Sequence, residues 1–546
     1  MGDLAGTLLV GSSAVLGSAL AAMAVFSKRL TRPLDRRPAL AALVPALVAL
    51  GISAGLGLIR PPVPQIHDEF SYLLAADTYA SGHLAARAPS SPEHFESFHV
   101  LTTPTHASKY FPGQGLVLAL GIALLGSPIA GAWIVFAAAC AALHWALRVT
   151  IPARFALAVA LLAALHPPFH DDPLHPWTQS FWGGQLAFLG GALVFGAAAR
   201  LARRARFADG FAAGAGLSVL ALARPFEGII AALMAAGLCF SVFRKRAGPS
   251  PKEALRRFAL PALAPPVVAL AFVLFVNARV TGSALRLPEA LYEERFASAP
   301  VFLWMSAPAA KQYSSADVKN FYEADRSDWE ARRRPSALPG EMAARIRDLA
   351  RYFLKPMAWV WLALPLVLFL PRARRIAALA AAGTAVALTV SWMHPHYVAV
   401  YIPLGAELAA RCLRCLSNLA RPWRFAGVAA IALSLGGISV RLLEAPQGAA
   451  RSRNEAVWPE ARAALERRLE ATGTPHLVLV ERRGGWPVHC DWVYNGPGIA
   501  ARPVVWARSL GSARDAALVS EFPGRVVLQL VLDEQGWNIR PWRPGG

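Results

Sequence analysis

Runs of mostly apolar residues recur along the whole chain, at 4–26, 39–59, 128–148, 152–166, 180–200, 208–223, 226–243, 258–276, 356–371, 375–393, 397–415 and 425–442. Each approaches the length a helix needs to cross about 30 Å of hydrocarbon. Lipid offers no partner for a free backbone N–H or C=O, so such a segment is stable there only as a helix. The expected fold is an all-α polytopic membrane bundle of about twelve transmembrane helices. With 55% apolar and 16% charged residues, the chain is too apolar for an ordinary soluble protein, and its 546 residues leave room for a soluble appendage.

Charge sets the orientation. A net charge of +21 would suit nucleic acid if it lay on one surface, but it sits in alternate connections: "SKRLTRPLDRR", "RLARRARF", "RKRAGPSPKEALRR", "PRARR" and "RPWR". The connections between them, such as "HPPFHDDPLHPWTQ" and "HPHY", carry no Lys or Arg. By the positive-inside rule the basic loops are cytoplasmic. The N-terminus and everything after residue 443 then lie outside, and no nucleic acid partner is expected. Segment 4–26 lacks the basic n-region of a signal peptide and reads as a retained span. "GQGLVLALGIALLG" (113–126) is too short to cross and reads as a helix at the outer interface.

Three parts follow. Residues 1–37 form an N-terminal span with a basic cytoplasmic loop, 38–443 the main transmembrane domain, and 444–546 a small extracytoplasmic α/β domain. Two long outer loops, 60–127 and 277–355, interrupt the bundle. In the tail, a helix ("NEAVWPEARAALERRLEATG") precedes "HLVLVER", "VVWARSL", a helix "SARDAALVSEF" and a strand "RVVLQLVLDEQ". That alternation is the pattern of a small α/β domain. The five cysteines carry no disulfide framework, since Cys490 stands alone in the exported part.

The polar residues that remain gather at the outer rim of the spans. Asp68 and Glu69 follow the second span, beside His67 and Tyr72, and "HPPFHDDPLHPW" follows the fourth. Arg224 and Glu227 lie between the sixth and seventh, and His394 and His396 follow the tenth. Ionisable groups at membrane depth are costly and mark pathways or sites. Each also has a structural reading: the acid pair as a helix cap, Arg224 as a snorkelling partner of Glu227, the histidines as interface anchors. "HDDPLH" offers His170, Asp171, Asp172 and His175 as a ligand set for a divalent metal ion, without a fixed metal-binding spacing.

An acidic pair in a long first outer loop resembles the GT-C-type glycosyltransferases, the superfamily of protein O-mannosyltransferases and aminoarabinose transferases. "YFPGQGLVLALGIALLG", the acids of "HDDPLHPWTQSFWGGQLAFLGGALV" and the basic residue of "ALARPFEGIIAAL" are similar to segments of that family, over residues 38–443. The extra span at 4–26 and Arg in place of Lys in "ARPFEG" depart from it. The resemblance implies transfer of a sugar from a polyprenyl-phosphate donor to a hydroxyl of a lipid, glycan or protein acceptor, with inversion, at the outer face of the inner membrane. It implies Asp68 as base or acceptor-orienting acid with Glu69 as its partner, and Asp171 or Asp172 on a sugar or ion. Arg224, His394 and His396 would then lie near the phosphate, with His67, Tyr72 and Glu227 lining the substrate. Two other classes compete: a secondary transporter, which would show repeated halves and charges at the midplane, and a non-enzymatic scaffold displaying the tail.

Overall fold

The computed structural model describes residues 2–170, 172, 176–244, 249–418, 453–484, 486, 487 and 489–544. Among the described residues, four helical stretches are long and apolar enough to cross a membrane: Ala5–Ala24, Pro38–Ile59, Pro128–Leu147 and Pro251–Thr281. Their outward faces carry large apolar side chains, such as Leu43 and Leu47 on one and Val267, Val268 and Phe275 on another. That is how a helix meets lipid rather than water. These faces make the chain an integral membrane protein.

The other expected spans within the described residues also coincide with helical segments, several of them shortened or broken; span 425–442 lies outside the described residues. Proline and glycine account for the breaks. Segment 356–371 is a 3₁₀ stretch, Lys355–Ala363, followed by the short helix Leu364–Val367, with Pro356 and Pro365 near their starts. Segment 397–415 is a 3₁₀ stretch, Pro395–Tyr401, that becomes α-helical at Ile402–Ser417, where Pro403 has no N–H to donate back along the helix. The helix expected from residue 180 begins only at Gln185, after Gly183 turns the chain at φ 135°.

Packing runs in sequence. Gly2–Phe26 lies on Pro38–Ile59, which lies on Pro128–Leu147, and that helix in turn packs on Gln185–Leu201. Gln185–Leu201 then packs on Phe207–Ala223, and Phe207–Ala223 on Leu260–Thr281. The helix expected at 113–126 is present as Pro112–Leu125.

Both loops expected on the outer side are folded. The first contains the helix His67–Ala80 and a small antiparallel sheet in which Thr105–Ser108 lies between Ala86–Arg87 and Val100–Leu101. The second contains the helices Pro288–Phe296, Ala316–Arg332 and Leu338–Leu349. In the tail, His476–Arg482 is flanked in parallel by Val504–Arg508 and Val526–Asp533, and Gly536–Pro541 adds an antiparallel edge strand that the sequence pattern did not reveal. The first five residues of the central strand are buried, as expected where a parallel sheet is covered on both faces.

Candidate active site

Four consecutive residues at the start of His67–Ala80 point to four different surroundings, because each helical residue turns the side chain by about 100°. His67 meets the tail, with Nε2 3.3 Å from Nδ1 of His489. Asp68 turns into a polar cluster. Glu69 turns back into backbone, and Phe70 enters the core of the tail, stacked 4.2 Å from Tyr494 and packed against Trp458.

Asp68 Oδ1 accepts a short hydrogen bond from the Tyr110 hydroxyl. Its Oδ2 lies 2.9 Å from His67 Nδ1 and 3.8 Å from His99 Nε2. Burial alone would raise the Asp68 pKa. The imidazoles of His99 and His67 and the Tyr110 hydroxyl outweigh it and hold the carboxyl well below the usual carboxylate range. His99 carries the only non-glycine positive φ among the described residues, 64°. Strain of this kind persists where the surroundings over-determine it, and it clusters at functional sites. Its backbone N–H is fixed by the hydroxyl of Tyr292 at 2.7 Å, and the adjoining Lys109 is paired with Glu293 at 2.7 Å.

Glu69 is committed to backbone. Its Oε2 accepts from the N–H groups of Gln65 (2.5 Å) and Ile66 (3.3 Å), and its Oε1 from the N–H of Phe181 (2.7 Å). The Ile66 bond is the reach-back half of a capping box, with Ile66 as the N-cap; the Phe181 bond ties the helix to the loop after the fourth span. Gln114 holds the carbonyl of the same Phe181 at 2.8 Å. Trp182, next along, has His394 and His396 at ring distances of 5.4 and 4.8 Å. Glu69 thus positions the histidine pair through the chain.

Truncating Glu69→Ala strips three N–H groups of their acceptor, which costs roughly 3 kcal/mol or more. The expected readout is a lower midpoint of thermal unfolding in detergent; an unchanged midpoint would show that water takes over the acceptor role. Burial pushes the Glu69 pKa from 4.5 up to about 7, against the N–H groups of Gln65, Phe181 and Ile66. Between those two pH values the folded chain keeps a proton that the unfolded chain has lost. Wild type should therefore lose stability relative to Glu69→Gln as pH rises from 4.5 to 7.

The second half of the site lies across a tyrosine pair. Tyr72 stacks on Tyr110 at 4.5 Å, and both Arg224 and Asp68 act electrostatically on Tyr72. The Arg224 guanidinium covers the ring of Tyr397 at 4.7 Å and lies 3.8 Å from Glu227. His396 stacks on the same Tyr397 at 4.8 Å, with His394 at 6.3 Å. Close backbone contact makes this possible: a Cβ on Gly113 would sit 2.8 Å from the Leu222 carbonyl, so only glycine lets the Pro112–Leu125 helix start against the turn carrying Arg224.

The structure thus brings His67, Asp68, Tyr72, Arg224, Glu227, His394 and His396 into one connected neighbourhood, with Glu69 behind it. Asp172 lies beside Tyr352, and no described contact links it to Asp68. Asp171 and His175 lie outside the described residues. His170 is built into the core: its Nε2–H donates to the Ala164 carbonyl at 2.8 Å and its Nδ1 accepts from the Thr178 hydroxyl at 2.9 Å. That leaves neither ring nitrogen of His170 for an ion. Among the described residues, the donors that converge are His67, Asp68 and His99, whose ligand atoms all lie within 4.8 Å of one another.

Sequence reasoning missed His99, Tyr110, Tyr397 and His489. Tyr110 and Tyr397 had a signal, as polar aromatics flanking "FPGQG" and "MHPH"; His99 and His489 had none.

No protein-family model and no curated protein matches the chain. Among solved structures, ArnT from Cupriavidus metallidurans bound to undecaprenyl phosphate is similar, with a TM-score of 0.51 and 14% identity over 90% of this chain and 92% of that one. The apo state of the same ArnT gives 0.48 and 14% over 87% and 89%. The apo oligosaccharyltransferase of Archaeoglobus fulgidus gives 0.40 and 13% over 89% and 69%. The chain shares the fold of that ArnT, in line with the resemblance to GT-C-type glycosyltransferases read from its sequence.

Proposed function

We propose that the chain is a membrane glycosyltransferase that moves a sugar from a polyprenyl-phosphate donor to a hydroxyl of a lipid, glycan or protein acceptor at the outer face of the inner membrane. One observation carries this reading: in a GT-C-like fold, a carboxylate is hydrogen-bonded to one member of a stacked tyrosine pair, Tyr110, and a guanidinium acts electrostatically on the other, Tyr72. The undecaprenyl phosphate bound by the similar ArnT is a ligand of the proposed donor class.

The division of labour follows from charge. The acceptor oxygen forms a bond to the anomeric carbon as the bond from that carbon to the phosphate oxygen breaks, and the lipid phosphate leaves with the electron pair. Asp68, held ionised, orients the acceptor hydroxyl and takes its proton. Arg224, with His394 and His396 beside it, meets the departing phosphate, where a fixed cation stabilises developing negative charge. A single displacement inverts the anomeric centre. Tyr72 and Glu227 line the donor side, Glu69 positions the histidines, and Asp171 or Asp172 contacts the sugar. A divalent ion, if bound by His67, Asp68 and His99, would add positive charge beside the acceptor; that nitrogen and oxygen set suits Zn²⁺.

The test is transfer in vesicles reconstituted with purified protein and a panel of polyprenyl-phosphate sugars. Arg224→Gln should lower kcat/KM about tenfold to a hundredfold, the worth of a hydrogen bond to a charged group. Transfer from none of the donors, or a rate indifferent to Arg224→Gln, would overturn the proposal.

A further inference from the structure

The end of the bundle opposite Asp68 holds a cavity of about 190 Å³. It lies among the last turns of Pro128–Leu147 and Gln185–Leu201, the first turn of Pro371–Ala387, and Ile402–Ser417. Its wall is apolar, with Phe195, Leu238 and Leu404, and its polar lining is Arg372, Arg375 and Glu407. Its volume is well above the roughly 10–15 Å³ that one water needs by the same measure, and has room for the end of one hydrocarbon chain.

The charge at the mouth is unbalanced. Glu407 Oε1 takes both Arg372 Nε at 2.9 Å and Arg411 Nη2 at 2.6 Å, so one carboxylate serves two guanidinium groups. Arg375 has no carboxylate within ion-pair distance among the described residues. Arg372 also occupies the first turn of its helix, with Arg375 just beyond it, and at the positive end of a helix dipole cations are disfavoured unless an anion compensates them. An apolar interior beneath an uncompensated basic rim matches an amphiphile that carries a phosphate above a hydrocarbon chain, and basic pockets between membrane helices bind such head groups.

We infer that this cavity is a binding site for an anionic glycerophospholipid of the surrounding leaflet. One acyl chain enters between Phe195 and Leu404, and the phosphate rests on Arg375 and the outer nitrogens of Arg372. The site is separate from the proposed transfer chemistry, so the two stand or fall independently.

Native mass spectrometry of delipidated protein, titrated with phosphatidylglycerol or phosphatidylcholine, tests it. Wild type should retain one phosphatidylglycerol and prefer it to phosphatidylcholine. Arg375→Ala should weaken phosphatidylglycerol about fivefold, the effect of one basic residue at a lipid surface, and leave phosphatidylcholine unchanged. Ala199→Phe, which fills the cavity, should weaken both lipids. Arg375 is exposed, so its variant should fold even where Ala199→Phe does not. Equal affinity for the two lipids, or a phosphatidylglycerol affinity unmoved by Arg375→Ala, would overturn the inference.

Discussion

Asp68→Asn should lower sugar transfer by roughly two to four orders of magnitude, the usual worth of general-base catalysis, with some loss of thermal stability at neutral pH, because the carboxylate that His99, His67 and Tyr110 hold ionised also stabilises the fold. The amide keeps the size of the carboxylate and can still accept the Tyr110 hydroxyl bond, but it cannot take a proton. A merely capping Asp68 predicts near-normal transfer instead, with a stability change of about 1 kcal/mol or less. The geometry separates these outcomes, because Glu69 rather than Asp68 holds the free N–H groups of Gln65 and Ile66. Equal rates for wild type and Asp68→Asn in reconstituted vesicles would remove Asp68 from the mechanism.

Arg508→Met should loosen the tail from the outer loops. Arg508 is buried, and its guanidinium donates to Asp491 at 2.6 Å, to Asp317 of the second outer loop at 2.8 Å and to the Glu96 carbonyl of the first at 2.9 Å. It therefore joins three parts of the chain that are far apart in sequence. Methionine leaves two carboxylates without their hydrogen-bonded guanidinium, with only the electrostatic influence of Arg482 remaining, and breaking a buried pair of this kind costs about 3–5 kcal/mol. Faster hydrogen exchange in residues 486–495 and a lower unfolding midpoint are the expected readouts. Adding Asp317→Asn and Asp491→Asn should restore part of the loss by removing the stranded charges. Lysine is no substitute, since one ammonium cannot fork across three acceptors as a guanidinium does. Exchange and midpoint both unchanged in Arg508→Met would mean that the tail is held by apolar contacts such as Phe70 on Tyr494.

Much of the bundle was legible because lipid imposes a single rule on every residue that enters it. A run of apolar side chains must be a helix, and an excess of Lys and Arg marks one side. The places where the reading blurred are proline and glycine positions, such as Pro356, Pro365, Pro403 and Gly183, which shorten a helix without changing its hydropathy. The final edge strand of the tail, Gly536–Pro541, escaped because an exposed strand has no apolar alternation to show.

The site divides the same way. The sequence by itself determined that the chain crosses a membrane and that its acids, histidines and Arg224 gather at span ends, since composition and spacing carry that information locally. Only the tertiary structure decided what each touches. The pitch of one helical turn sent Asp68 to Tyr110 and Glu69 to Phe181, and chain crossings brought His489 to His67 from 422 residues away. Contacts of that range depend on how whole elements pack, and no local pattern of residues encodes them.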